Sequence, residues 1–484
     1  MPSRLLGRGA RVAASWSAEE RDAVLYAASA LFAIITAQGS SIPLYRQWGE
    51  LAVGPYALGA LASAIAARRA RRRAAAAQAP DAGQTTRVAS PTWHWTTSRT
   101  VIFLVVFVGA TLGPLALEVL WGHLQDEVKV VEQSGARLAH HKPLYPNIDG
   151  RHPHVSAPAG QPAYDVYNPY LPLMSLFGLP SSTKAPRRLT DARVAFSLIT
   201  ILVVVAALAL CRGPTAPRVL SLQAMTVFPT AALPLATGGD DVPIAALLLL
   251  GLVLIQRRRP FAAGIALGVA ASMKITAWPL AALALLVATD RDGRRGRRPA
   301  LFLVAGLAVV MLPSILPTFV GNPSGFIDNV VRFPLGLAGI SSPAASPLLG
   351  HAIVSWFPGI HRLFTVVAAA VGAVVLLYVL VRHTPRTASD LSRLLGWVMT
   401  IAIVVAPATR IGYLLYPIDF FVWSWLLRSE DLGSTVPFPA GEVVGSDGAS
   451  SSVEDPADTV RRSVAPVPSV VPHLAVGGGV VSRR

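Results

Sequence analysis

Charge is scarce in this sequence. Only 14% of its 484 residues are Asp, Glu, Lys or Arg, against about 25% in ordinary globular proteins. Cysteine is scarcer still. Cys211 stands alone, so no intramolecular disulfide can form and a disulfide-framed secreted domain is excluded. It sits in an apolar run, where a free thiol behaves as a small hydrophobe. Acids are the minority among the charges, 26 against 42 Lys and Arg. What fills the chain instead is apolar: 53% hydrophobic residues and a mean hydropathy of +0.52. A soluble chain of this length could not bury that much apolar surface, so most of it faces lipid. A typical cytosolic enzyme and a wholly disordered chain are excluded as well.

The net charge of +16 would suggest nucleic acid in a soluble protein. Here the arginines fall in short clusters between apolar runs, and no basic groove with interleaved aromatics is present. Cytoplasmic loops of membrane proteins carry this bias, with anionic membrane lipids as the partner and no nucleic acid. The clusters at 68–73, 257–259, 291–298 and 382–393 are expected on the cytoplasmic side.

The chain reads as an all-α, polytopic membrane protein with about twelve transmembrane segments. Residues 1–73 form an N-terminal pair of membrane helices. A signal peptide ending near Ala37-Gln38-Gly39 is the alternative for the first of them. Residues 74–99, rich in Ala, Gln, Thr, Ser and Pro, read as a linker. Residues 100–428 form the membrane core, interrupted by a long polar stretch at 118–193. Residues 429–484 turn to Gly, Ser, Pro and acids and read as a disordered cytoplasmic tail. Alternating the spans puts 118–193 outside, provided that Tyr170–Pro180 dips into the membrane rather than crossing it. The dip keeps Arg257–Arg259 inside.

A 70-residue loop between spans is more often functional than connective. Asp126 and Glu127 open it where the third span leaves the membrane. Val128, Val131, Ala136 and Leu138 follow at partly helical spacing, which predicts an amphipathic helix on the surface. A carboxylate at that boundary suits a general base acting on a sugar hydroxyl. An acid complementing a helix dipole is the plainer alternative. Tyr145 closes the helix in Lys142-Pro143-Leu144-Tyr145-Pro146. Tyr167 and Asn168 open the next apolar segment. The histidines His123, His140, His141, His152 and His154 match no zinc spacing.

Four further places stand out. Asp240 and Asp241 follow Gly238-Gly239 at a membrane boundary. They suit a divalent cation or a sugar hydroxyl, or form a hydrated turn. Lys274 lies between two short apolar halves, where a cation is a candidate phosphate ligand or snorkels to headgroups. Arg332 and Arg410 fall on the outer side and suit a lipid phosphate.

The order of these features resembles the polyprenol-phosphate-sugar-dependent glycosyltransferases of the GT-C fold, and among them glycosyltransferase family 87. The stretch G-A-R-L-x-x-x-x-P-L-Y ends at Tyr145, and Y-x-P-Y-L-P starts at Tyr167. Together they are similar to the family's alanine-rich helix with its following "L-Y" and "Y-P-P-L". Counting back over that helix puts Glu127, with Asp126 beside it, at the family's lead acid. Val131 replaces a common Tyr, and Asn168-Pro169-Tyr170 replaces the usual "Y-P-P". Gly264 to Pro279 resembles the family's glycine-rich helix, with Lys274 on its lysine. Gly238 to Pro243 resembles its acid-containing turn, and Ala408 to Pro417 its late polar-aromatic turn.

The resemblance covers roughly 100–428. It implies an outward-facing enzyme of the plasma membrane that moves a hexose, usually mannose, from a polyprenyl-phosphate sugar to a glycan or lipid acceptor. It implies a carboxylate base, Glu127 or Asp126. Tyr145, Tyr167, Asn168, Asp240, Asp241, Lys274, Arg332 and Arg410 are the residues expected to bind substrate. No nucleotide motif is present. No cofactor is implied, with a divalent cation left open. A secondary transporter or flippase, and a non-catalytic protein that keeps the fold, are the competing readings.

Overall fold

The computed structural model describes residues 16–77, 96–145, 163–338 and 348–434, save 292, 293 and 296, together with residues 340, 344 and 346. All of these belong to the first of two units into which the chain divides, Met1–Val436 and Pro437–Arg484. The expected linker, for residues 78–95, and the expected tail, from residue 435, lie outside the described residues.

Among the described residues the fold is helical throughout, apart from a two-residue ladder of Asp290–Arg291 with Arg294–Arg295. An N-terminal hairpin comes first, α1 (Ala18–Gly39) and α2 (Pro43–Ala77). A capping box starts α1: Ser17 accepts from the Glu20 amide and Glu20 from the Ser17 amide. Then comes α3 (Thr97–Trp121), with a π turn at Val108–Leu112. It stops at Gly122, whose φ of 75° is the left-handed cap that glycine permits. The amphipathic α4 (Asp126–Ala139) follows.

The core continues through α5 (Ala192–Ala209), α6 (Thr215–Thr226), α7 (Pro229–Thr237), α8 (Asp241–Gln256), α9 (Pro260–Ala271) and α10 (Trp278–Thr289). The last helices are α11 (Arg297–Gly321), α12 (Leu349–Trp356), α13 (His361–Arg382), α14 (Ala388–Val405) and α15 (Leu415–Ser434). Helix α15 runs past the expected core boundary at 428, because Glu430 and Asp431 find partners in Arg257 and Gln256.

Among the described residues, seven helices are long and apolar enough to cross a membrane, or eight if the bent pair α6–α7 is one span. That is fewer than the twelve segments read from the sequence. The difference lies in helices such as α9, whose 12 residues rise about 18 Å against a hydrocarbon core of about 30 Å. These short helices are buried among neighbours. Gly264 of α9 and Gly306 of α11 meet backbone to backbone, so a side chain at either would collide with the other helix.

The segment after α4 is not among the helices long and apolar enough to cross. Pro172–Ser182 is a 3-10 helix of 11 residues, about 22 Å long. Arg193, at the start of α5, donates to the Glu118 carbonyl near the end of α3 at 3.3 Å. The third span therefore ends, and α5 begins, at one end of the bundle, as the dip requires. At the opposite end, Glu430 accepts from the amides of Arg212 and Gly213 and pairs with Arg257 at 2.9 Å.

Candidate functional site

Helix α4 lies across one end of the bundle because its valine face is apolar: Val128, Val130 and Val131 are buried. Gly135 packs directly on Gly178 of the 3-10 helix, so closely that a Cβ at either position would strike the opposing backbone. Glu132 anchors the same helix through Arg187 at 3.0 Å. Burial pushes the Glu132 carboxyl up, against the pull of Arg187. This packing fixes where the first turn of α4 presents its two acids.

The two acids have different surroundings. Glu127 forms an ion pair with Arg410, which caps the 3-10 turn Ile411–Leu414. Asp126 pairs with Lys129 at 2.9 Å on its own helix and accepts from the Tyr164 hydroxyl at 3.2 Å. The Glu127 side chain is 15% exposed and that of Asp126 35%, so Glu127 is the more sheltered of the pair.

A second cluster lies at the same end. Lys274 Nζ donates to Asp240 Oδ2 at 2.9 Å and Asp241 Oδ1 at 2.8 Å. The rings of Tyr170 and Tyr413 flank its ammonium, with centroids 5.6 and 5.5 Å away. Tyr416 donates to the same Asp241 oxygen at 2.6 Å, and Thr276 reaches the Tyr416 hydroxyl at 3.0 Å. Tyr413 donates its amide to the Arg410 carbonyl at 3.0 Å and places its ring 5.5 Å from Lys274, which joins the two clusters. Two carboxylates facing one ammonium leave a net negative charge. Lys274 is thus committed to acids in this structure, where the sequence suggested a phosphate or headgroup partner. Asp240 and Asp241 likewise face an ammonium. Among the described residues, no group of three or more His, Cys, Asp or Glu is placed to hold a metal ion.

The other sequence-predicted residues stand apart. Tyr145 is buried, donates to the Tyr170 carbonyl at 2.9 Å and meets Phe326 edge-on. Tyr167 stacks on Phe333 at 4.5 Å. Asn168 is buried, donates to Ser134 at 3.0 Å and accepts from the Tyr170 amide at 3.2 Å. These three tie the loop to α4 and to the segment 323–333. Arg332 pairs with Asp328 on its own turn at 2.6 Å, and its side chain is 57% exposed. His123 lies 3.3 Å from Glu118 and 3.1 Å from Gln47. His152 and His154 lie outside the described residues.

Three residues near these groups were not singled out from sequence. Arg193, fully buried, pairs with Asp191 at 2.7 Å and packs beneath Gly238, whose φ of 98° and lack of a Cβ make room for it. Tyr45 of α2 accepts from Gln125 Nε2 at 3.0 Å. Asp165 is 3% exposed, and neither carboxylate oxygen is hydrogen-bonded among the described residues. Burial, then the Asp126 charge, raise its carboxyl to about 6, while Lys129 opposes the shift. Tyr45 and its partner Gln125 lie 80 residues apart in the chain, so local sequence carries no signal for that contact, whereas Arg193 pairs with Asp191 only two residues away.

Residues 169–409 match the family model of glycosyltransferase family 87. Over that segment the chain belongs to glycosyltransferase family 87. It is a membrane glycosyltransferase. No curated protein and no solved structure matches it. The family 87 segment contains Asp240, Asp241, Lys274 and Arg332 but stops one residue short of Arg410. Asp126, Glu127 and the N-terminal hairpin precede it. The family match and the ion-pair network therefore overlap without coinciding.

Proposed function

We propose that this protein transfers a hexose, mannose foremost, from a polyprenyl-phosphate sugar to a cell-envelope glycan or lipid acceptor. The transfer takes place at the outer face of the plasma membrane, in a GT-C-like core spanning 100–428. The observation that carries the reading is the Glu127–Arg410 pair beside the Asp240–Asp241–Lys274 cluster. A carboxylate and cations are what a sugar transfer from a lipid phosphate needs. The side assignment rests on arginine: Arg257 lies at the opposite end with Glu430, and clustered arginines favour the cytoplasm.

The reaction is a single displacement with inversion. Glu127 takes the proton of the acceptor hydroxyl, with Asp126 the second candidate. The acceptor oxygen bonds to the anomeric carbon as the bond to the phosphate oxygen breaks. The polyprenyl phosphate leaves with the electron pair. Arg410 orients the carboxylate before the reaction and offsets the charge growing on the leaving phosphate. Asp240 and Asp241 accept from sugar hydroxyls, with Lys274 holding them in place. Arg332, exposed at the rim, meets headgroup phosphate. Tyr145, Tyr167 and Asn168 shape the loop around the substrate.

The test is a membrane assay with radiolabelled polyprenyl-phosphate-mannose, comparing wild type with Glu127→Gln and Asp126→Asn. Loss of transfer in Glu127→Gln is expected. Undiminished transfer in both variants overturns the base assignment.

A further inference from the structure

The hairpin α1–α2 precedes the family-matched segment, and by sequence it falls outside the family resemblance. We propose that its turn completes the site, with Tyr45, the third residue of α2, as a positioning residue that holds Arg410 against Glu127. This rests on the reading of Glu127 as the base.

Tyr45 touches both sides of the pair. Its hydroxyl accepts from Gln125 Nε2 at 3.0 Å, and Gln125 is the residue that caps α4 immediately before Asp126 and Glu127. Arg410 lies close enough to act electrostatically on the same hydroxyl. One phenol thereby links the start of the helix that bears the carboxylate to the guanidinium that faces it. Two residues on, Gln47 Oε1 lies 3.1 Å from His123 Nδ1, a second tie between the turn and the chain leading into α4.

The turn itself is held in place. Trp48, fully buried, donates to the Ala110 carbonyl in the π turn of α3 at 2.9 Å. Tyr56 donates to the Val227 carbonyl between α6 and α7. At the far end of the hairpin, Arg99 grips both oxygens of Asp22, at 2.7 and 3.0 Å, and Gln223 donates to Asp22 at 3.1 Å. A hairpin fixed at both ends and its middle delivers Tyr45 to one position. That is what positioning requires, since a shift of about 1 Å at a reacting group costs on the order of a hundredfold in rate.

The experiment removes the hydroxyl and keeps the ring. Tyr45→Phe is assayed with radiolabelled polyprenyl-phosphate-mannose beside Glu127→Gln, Arg410→Lys, the double variant Tyr45→Phe/Arg410→Lys, and Tyr56→Phe. In Tyr45→Phe, kcat is expected to fall on the order of ten- to a hundredfold with KM nearly unchanged. The double variant is expected to lose little beyond Arg410→Lys alone, because the two side chains act as a unit. Tyr56→Phe, which loosens the hairpin away from the pair, is expected to lower the melting temperature and to cost less kcat than Tyr45→Phe. Unchanged kcat in Tyr45→Phe, or losses that simply add in the double variant, overturns the positioning role while a dead Glu127→Gln keeps the base reading. Full activity in Glu127→Gln overturns the base reading and this proposal with it.

Discussion

The guanidinium of Arg410 is ion-paired with the carboxylate of Glu127, joining the first turn of α4 to the polar turn before α15. Each is partly buried, with side chains 27% and 15% exposed. Removing one partner leaves the other poorly solvated. Arg410→Ala is expected to destabilise the protein by about 1.5–3 kcal/mol, read as a lowered melting temperature in detergent. The exchanged pair Glu127→Arg/Arg410→Glu is expected to recover much of that stability and no transfer activity, because the base then sits on the wrong element.

Lys274 offers a sharper contrast. It faces two carboxylates in a nearly buried site, its own side chain 12% exposed. Lys274→Met leaves Asp240 and Asp241 side by side without a counter-charge. A loss of about 3–5 kcal/mol is expected. Adding Asp240→Asn and Asp241→Asn to that variant is expected to restore most of it, since replacing a whole buried ionic group is far less damaging than breaking it. Thermal unfolding of the three-fold variant against Lys274→Met reads the difference.

The contact of Gly135 with Gly178 sets the height of α4 above the bundle. Ala at either position must push the helix away, because the obstacle is backbone. Gly178→Ala is expected to lower transfer on the order of a hundredfold by moving Glu127 relative to Arg410. Gly372→Ala serves as the control. It has open space around it, and its activity is expected to match wild type.

Asp165 gives a pH signature. Its carboxyl is raised from 3.8 to about 6, by burial first and the Asp126 charge second. The folded protein therefore holds this proton more tightly than the unfolded chain does. Its favourable contribution is complete below about pH 4 and is lost as pH rises through about 6. Asp165→Asn is expected to melt higher than wild type at pH 8, with the difference vanishing toward pH 4. Equal melting temperatures at both pH values would show that the carboxyl is not perturbed.

Much of the architecture was legible in the sequence. Apolar runs predicted the helices, and the period of the valines predicted that α4 is amphipathic. The expected dip after Tyr170 rested on the placement of arginines, and Pro172–Ser182 is an 11-residue 3-10 helix. The count of crossings was less legible. An apolar run looks the same whether it spans lipid or stops as a short buried helix such as α9, since hydropathy does not report what covers a segment.

The site divides along the same line. Sequence alone determined that this is a membrane protein and singled out Glu127, Asp240, Asp241, Lys274 and Arg410 among its few charges. Scarce charges in an apolar chain are costly to keep, which makes them conspicuous. Only the tertiary structure decided who faces whom: Glu127 with Arg410, Lys274 with both acids, and Tyr45 of the hairpin beside them. It also drew Tyr145, Tyr167 and Asn168 into the scaffold. Ion pairs and hydrogen bonds act over a few ångströms, and helix packing, not chain order, brings those atoms within that distance.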